Sequence, residues 1–398
     1  MAPRTVLLLL LMSLLGVFPL DVILPSFPAL ATTFDVDISD IALSISLFAV
    51  SVGLSQSLIG PLSDVLGRKR LLMAGLIIAI AGAQGCRLAT EYPAFIACRI
   101  IQALGCGCFV LSQALVQDIF NGAQRNRMRI LLASASGVFI SLSPLAGSVL
   151  QGAFGWTASF SVFTGLAIGA LWLCSITLPS SINEPLVCGG ILHSYRVLAR
   201  DRGFLAYCAL SAMAFACHFS FIVTSPLLLM QLLELSEYEF SLVFIGYGAA
   251  YITCGVVAGA INTEVTVNTQ IGIGLALIGS AGLLLRAWLL VEELSVTAVL
   301  LAMMVCTAGT TIIRPAATTC ALERHPERAG AAAALNNTLL FATGGAASGL
   351  IALVDTGLPL NLALAFIVIS LSGAFILRLL ACHRTHWTSG RKSANPPR

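Results

Sequence analysis

The sequence predicts an all-α membrane protein whose twelve spanning helices fall into two bundles of six. Three observations predict it. The composition is too apolar for a soluble domain, the apolar runs are of membrane length, and cationic and acidic loops alternate between them. Of the 398 residues, 58% are hydrophobic and only 10% charged, with a mean hydropathy of +0.96. A soluble domain of this length needs more charge to coat its surface. Lipid is therefore the solvent, and the backbone must be helical or a closed barrel. Barrel strands alternate apolar and polar over about ten residues. The runs here last about twenty, the length of a spanning helix.

The first run follows an early cation, Arg4, with a leucine stretch, as a secretory signal peptide does. No small-x-small cleavage site closes it. It passes instead into Asp21-Val22-Ile23-Leu24-Pro25-Ser26-Phe27-Pro28. An uncleaved helix over about 5–33, bent at its prolines, is expected; a cleaved leader is the alternative. Further spans are expected at about 40–61, 71–89, 93–118, 128–152, 157–178, 204–230, 239–261, 268–290, 295–320, 329–352 and 358–381. The longest internal polar stretch, 179–203, carries Asn183, Glu184, Pro185, Arg196 and Asp201. It divides the spans six and six. The expected organisation is an N-terminal bundle over 1–178, a cytoplasmic linker over 179–203, and a C-terminal bundle with a short cytoplasmic tail over 204–398. Two parallel repeats give such a pattern, although the halves share little residue-level similarity.

Lys and Arg placement sets the orientation. With the N-terminus in the cytoplasm, the inner segments carry Arg4; Arg68, Lys69 and Arg70; Arg125, Arg127 and Arg129; Arg196, Arg200 and Arg202; Arg324 and Arg328; and Arg378, Arg384, Arg391, Lys392 and Arg398. The outer segments receive Arg87 and Arg286 and most of the acids, among them Asp35, Asp37, Asp40, Glu234, Glu237, Glu292 and Glu293. A multi-pass protein with both ends in the cytoplasm is expected. The loop around Asn262, Thr263 and Glu264 breaks the pattern, having no cation.

The twelve cysteines lie mostly within apolar runs. Cys106 and Cys108 have no matching pair near His, so the set reads as small packing residues with no disulfide framework or metal site. No Ser-His-Asp set and no phosphate loop appears, so an enzyme is not expected.

Between the second and third runs lies a polar island, Gly60-Pro61-Leu62-Ser63-Asp64-Val65-Leu66-Gly67-Arg68-Lys69-Arg70. Its spacing, G-x-x-x-D-x-x-G-R-K-R, resembles the loop between helices 2 and 3 of the major facilitator superfamily of secondary transporters. The Gly, Asp, Gly and basic positions all agree, and both flanks are of membrane length. The bland alternative is an ordinary turn with anchoring cations. Asp118 ends the fourth span. By resemblance, Asp64, Arg68 and Asp118 form a charge relay at an inner gate, with Asp64 facing the positive N-terminal end of helix 11 near Ala329 and Gly330. Such a cluster favours one state of a switch over the other; three inconsequential surface charges are the alternative.

Two cations, Arg99 and Arg314, fall inside spans. A charge at the bilayer centre costs about 2.5–3.5 kcal/mol on insertion scales, so such residues face a bundle interior or a wet cavity. Arg99-Ile100-Ile101-Gln102-Ala103 is similar to the R-x-x-Q-G motif of helix 4, with Ala103 where Gly is usual. In proton-coupled members this arginine is thought to influence a nearby carboxylate. An arginine bonded to backbone carbonyls at a helix break is the structural alternative. The acid singled out is Asp21, about 24 Å along the first span. The run D-V-I-L-P-S-F-P resembles the helix-1 signature D-x-x-L-P-x-x-P of the Bcr/CflA drug-efflux family. A carboxylate withdrawn from water there suits a proton carrier; an acid serving only structure, at a helix break or beside Arg99, is equally open.

Helix 5, Phe139 to Ser148, resembles the antiporter motif G-x-x-x-G-P-x-x-G-G, but only Pro144 and Gly147 match. Ser143 and Ser148 replace glycines and are small enough for close helix approach. Gly155-Trp156-Thr157 with Phe160 resembles the G-W-R-x-x-F start of helix 6, with Thr157 in place of the arginine. Arg328-Ala329-Gly330 through Leu335 is similar to the R-A-G-x-A-x-A-L of Bcr/CflA members. The resemblance covers nearly the whole chain.

His218, Ser220, Thr224, Ser225 and Pro226 fit a cavity wall, though a lone His in a helix is more often a packing residue. Gln102, Gln113, Tyr247, Asn336 and Asn337 are further candidate cavity contacts.

The resemblance implies an inner-membrane exporter that exchanges protons for a drug or an endogenous metabolite by alternating access, and so a multidrug-efflux or antibiotic-resistance role. It implies no cofactor beyond the proton gradient. The expected partners are a small-molecule substrate and membrane lipid, without nucleic acid, and a monomer is expected. A uniporter or importer of the same fold, or a non-transporting membrane sensor, stays open.

Overall fold

The computed structural model describes residues 3–179, 191–261, 265–354 and 357–392. The first run is a broken helix. Helix α1 (Pro3–Asp21) stops at Asp21, a short 3-10 turn (Leu24–Ser26) follows, and α2 (Phe27–Phe34) completes the crossing. Pro19, Pro25 and Pro28 place the bend where it was expected, because each lacks the N–H that continues a helix. Leu8, Leu9, Met12 and Leu15 bury the rest of α1 in the core.

The remaining long helices are α3 (Ile38–Leu66), α4 (Arg68–Leu88), α5 (Tyr92–Cys106), α6 (Leu111–Ile119), α7 (Gly122–Phe154), α8 (Thr157–Thr177), α10 (Arg202–Ser225), α11 (Glu237–Ile261), α12 (Val267–Val291), α13 (Val296–Glu323), α14 (Ala329–Ala352) and α15 (Leu358–Lys392). Between α8 and α10 stands the short α9 (Ile191–Arg200). Local chemistry starts several of these helices. The Asp201 side chain accepts from Gly203 N and Phe204 N at 2.8 and 3.2 Å, and Ser295 accepts from Ala298 N at 3.2 Å. Each satisfies donors that a helix start leaves free.

Among the described residues, eleven helical segments are long and apolar enough to cross a membrane. The segment expected at 329–352 is α14, 24 residues long. Asn336, Asn337 and its glycines lower its hydropathy, but α3 and α10 flank it and shield its polar groups from lipid. Each expected crossing therefore coincides with a helical segment, the first and the fourth (expected at 93–118) each being broken by a 3-10 turn, the latter at Gly107–Val110.

Two seams join the first-half helices to the second-half helices: α3 against α14, and α7 against α11. The first is bonded by Ser46 Oγ to Ser348 Oγ at 2.8 Å and by Thr338 Oγ1 donating to the Gly53 carbonyl at 2.9 Å. In the second, Ser241 Oγ donates to the Pro144 carbonyl at 3.0 Å. The polar stretch 180–190, with Asn183, Glu184 and Pro185, lies outside the described residues, as do Asn262, Thr263, Glu264 and Arg398.

The end of the bundle carrying Arg68, Lys69 and Arg70 is called the cation-rich end below, and the end carrying Asp37 and Glu293 the acid-rich end.

Candidate functional site

Asp21 is the last residue of α1 and is only 4% exposed. Its carboxylate makes no hydrogen bond or ion pair with any described residue. The 3-10 turn just after it packs on α7 and α11. This puts Asp21 next to the second seam. Gly147 of α7 permits that packing: a Cβ there would strike the Val22 carbonyl. The one glycine of the helix-5 motif's G-G pair that survives thus seats the break that carries Asp21.

Arg99 is buried, and it does not pair with Asp21. Its Nη2 donates to the Pro19 carbonyl at 3.1 Å and its Nη1 to Gln102 Oε1 at 2.8 Å. The guanidinium lies 4.2 Å from the centre of the Phe48 ring. The geometry is that of a cation satisfying backbone beside a helix break, and Gln102 belongs to that cluster, which lines a small hollow of about 10 Å³ with Pro19 and Phe160.

At the cation-rich end, Arg68 Nε approaches Asp118 Oδ2 at 3.3 Å, and Arg68 also bonds Ser63 Oγ. Gly67 has φ +89°, a left-handed value that glycine takes without strain, and this turns the chain from α3 into α4. A Cβ on Gly60 would come within 3.1 Å of Ala334 Cβ, so this glycine lets α3 approach α14. The Asp64 side chain, its expected role included, lies outside what the structure describes.

Sequence reasoning missed other contacts at this end. Lys69 Nζ donates to the Ser175 and Leu178 carbonyls at 2.6 and 2.7 Å, closing the end of α8. Tyr195 of α9 donates to the Ser57 carbonyl at 2.6 Å. Pro61 explains that bond, since a proline four residues on leaves the Ser57 carbonyl without its helical donor. Asp201 accepts from Arg324 Nε and Nη2 at 2.8 and 2.9 Å and lies 3.0 Å from His325 Nε2. Partial burial pushes the Asp201 carboxyl up, but the Arg324 and Phe204 N–H bonds outweigh it and bring it down to about 2. The only sequence signal for these contacts is Pro61; the others join residues more than a hundred positions apart.

Two hollows lined by described residues bear on the site. One of about 620 Å³, at the acid-rich end between Asp37 and Glu293, holds none of the marked residues. The other, of about 270 Å³, runs from Leu20, beside Asp21, to Arg129 near the cation-rich end. Gln56, Gln113, Ser136, Asn337 and Phe341 line it. Gln113 lines this hollow. Thr224 is buried and donates to its own helix at Ser220 O, 2.7 Å away, and His218 bonds the Tyr247 hydroxyl with the two rings stacked. Asn336 is buried with Oδ1 unpartnered, while its neighbour Asn337 faces the cavity.

The model of the Major Facilitator Superfamily matches residues 9–349. The chain is similar to the uncharacterized MFS-type transporter YdgK of Bacillus subtilis, 26% identical over 357 residues that cover 87% of this chain and 88% of that protein. It is similar to the bicyclomycin resistance protein homolog of Haemophilus influenzae, 25% identical over 381 residues, 92% of this chain and 94% of the relative. A chloramphenicol resistance protein of Pseudomonas aeruginosa is 29% identical over 242 residues, 60% of this chain and 58% of its own length. A family match across most of the chain, on apolar helical segments of spanning length whose two halves meet along two seams, leads to one conclusion: this chain belongs to the major facilitator superfamily of membrane transporters.

Proposed function

We propose that this transporter is a proton-coupled exporter of small molecules, of the Bcr/CflA drug-efflux type, working by alternating access in an inner membrane. The observation that carries the reading is Asp21: a buried carboxylate with no cation partner among the described residues, at a helix break, next in sequence to Leu20 on the cavity wall. Lys and Arg bias assigns the cation-rich end and both chain ends to the cytoplasm. The cavity between Leu20 and Arg129 then receives substrate from the cytoplasmic side. Its walls are mainly apolar with a few amide and hydroxyl groups, as small-molecule sites are.

In this mechanism the halves rock about the α3–α14 and α7–α11 seams. Asp21 sits next to the second seam, so the rocking changes what surrounds it. A carrier needs that, because its proton must be held in one state and released in the other. Arg99 is a positioning residue that fixes the Pro19 carbonyl and with it the break. The Arg68–Asp118 contact belongs to one state and opens in the other. The proton gradient is the only energy source, no cofactor takes part, and the working unit is a monomer in lipid, with a small molecule and no nucleic acid as its partner. The chloramphenicol and bicyclomycin names of two relatives favour drug-like cargo.

The test is an antiport assay in acid-loaded everted vesicles carrying a pH-quenched dye. Adding chloramphenicol to wild-type vesicles should release the quench, and Asp21→Asn should abolish that release at equal expression. An Asp21→Asn response equal to wild type would remove Asp21 as the carrier. Drug movement that ignores the gradient would make the protein a uniporter.

A further inference from the structure

The second arginine inside a span is unlike the first. Arg314 lies nine residues before the end of α13, about 14 Å inside the helix. It makes no ion pair and no hydrogen bond with any described residue, and its Nε is buried without a partner. Its guanidinium lies over the Phe215 ring, 5.0 Å from the centre. Phe215 in turn meets Phe341 edge to face at 5.4 Å, and Phe341 lines the cavity. The side chain is half-buried, so it is neither sealed in the core nor released to bulk water. Arg99 shows what a fully bonded arginine looks like in this fold: buried, bonded to a carbonyl and an amide, and covered by an aromatic ring.

We infer that Arg314, seated over the buried Phe215 ring, and Phe341 on the cavity wall form a subsite for the single negative charge of a lipophilic organic acid, the carboxylate meeting the guanidinium and the apolar body lying on Phe341. A guanidinium presents a planar fork of donors that fits a carboxylate, and one such group suits one charge better than a phosphate ester with two. A cation placed within a span and left without an anionic partner among the described residues draws its counter-charge from what passes through. The inference rests on the exporter reading for its route but not for its binding step.

The test is equilibrium binding to the purified full chain in an uncharged maltoside detergent. The probes are tritiated 2-naphthoate and its uncharged analogue 2-naphthamide. Wild type should bind the acid at least about tenfold more tightly than the amide. Arg314→Gln should weaken acid binding by about tenfold or more while changing amide binding less than about twofold. Arg314→Lys, which keeps the charge without the fork, should fall between the two. Unchanged amide binding shows that the variants are folded. Equal affinity of wild type for acid and amide, no binding of the acid, or an Arg314→Gln variant that binds it like wild type each overturns the subsite. Asp21→Asn should still bind 2-naphthoate without transporting it. Wild-type binding without proton-linked transport therefore sinks the exporter reading and leaves the subsite standing.

Discussion

Two ionic clusters stand at the cation-rich end, and they are built differently. In the first half, Arg68 reaches Asp118 through one nitrogen at 3.3 Å, with Asp118 35% exposed. In the second, Asp201 takes two nitrogens of Arg324 at 2.8 and 2.9 Å, faces His325, and caps α10 with the same carboxylate. The first joins the start of α4 to the end of α6 by a long, wet contact. The second binds the start of α10 to the end of α13 by a short fork. Charge-assisted bonds gain strength with short, bidentate geometry, whereas an exposed pair contributes about 0–1 kcal/mol. The difference suggests a division of labour: the second-half cluster holds two helices together in every state, and the first-half cluster is weak enough to open.

The largest effect is expected at Asp201. Asp201→Ala removes a helix cap and the fork together. Even with Arg324 free to turn to water, the loss should be about 2 kcal/mol, read as a lowered unfolding midpoint in detergent. The acid range sharpens the point. The Asp201 carboxyl falls from 3.8 to about 2 on folding. A depressed acid contributes stability that is complete above the unfolded value and fades as pH falls through the folded one. Wild type should therefore lose this increment between about pH 4 and pH 2, and the Asp201→Ala curve should lack that step. A variant as stable as wild type at neutral pH would dissolve the contrast between the clusters.

Asp118→Asn should do the reverse. Its effect on the unfolding midpoint should be small, within about 1 kcal/mol. Its effect on turnover should be larger if, as proposed above, the contact weights one state against another. Chloramphenicol-driven proton release in everted vesicles should slow by severalfold while the midpoint barely moves. A large stability loss with unchanged turnover would make this cluster an anchor like its counterpart.

Much of this was legible in the sequence because lipid imposes a strict rule on the backbone. The helix edges, the break near Pro25 and the Gly67 turn follow from apolar run length, missing N–H groups and the need for positive φ. The site was legible only in part. Asp21 and Gln113 were singled out from motif and position; Asp21 is buried at the end of α1, next in sequence to Leu20, and Leu20 and Gln113 line the same hollow. Gln102, His218 and Thr224 carry the right chemistry, but it is turned inward to Arg99, Tyr247 and the Ser220 carbonyl. Hydropathy sees the polarity of a side chain but not its partner. The Asp201–Arg324 fork joins residues 123 positions apart, and no local pattern marks such a pair. α14 shows the opposite limit: its asparagines depress the membrane signal of a helix that its neighbours shield.

The smallest effect is expected where the two clusters are linked. Helix α9 runs directly into Asp201, and its Tyr195 hydroxyl holds the Ser57 carbonyl that Pro61 leaves open. The linker helix thus ties the rigid second-half anchor to α3, whose far end turns into Arg68. Burial pushes the Tyr195 hydroxyl up to about 12, so it stays a donor throughout the physiological range. Its contribution is complete below the unfolded value near 10 and fades as pH rises towards 12. Tyr195→Phe removes one neutral hydrogen bond, so the unfolding midpoint should shift by about 1 kcal/mol or less. The informative readout is coupling. In the double variant Tyr195→Phe, Asp118→Asn the losses of turnover should fall short of additivity by more than about 0.5 kcal/mol, because both act on the movement of α3. Additive losses would mean that the linker helix rides on the second half alone and takes no part in the opening of the first-half contact.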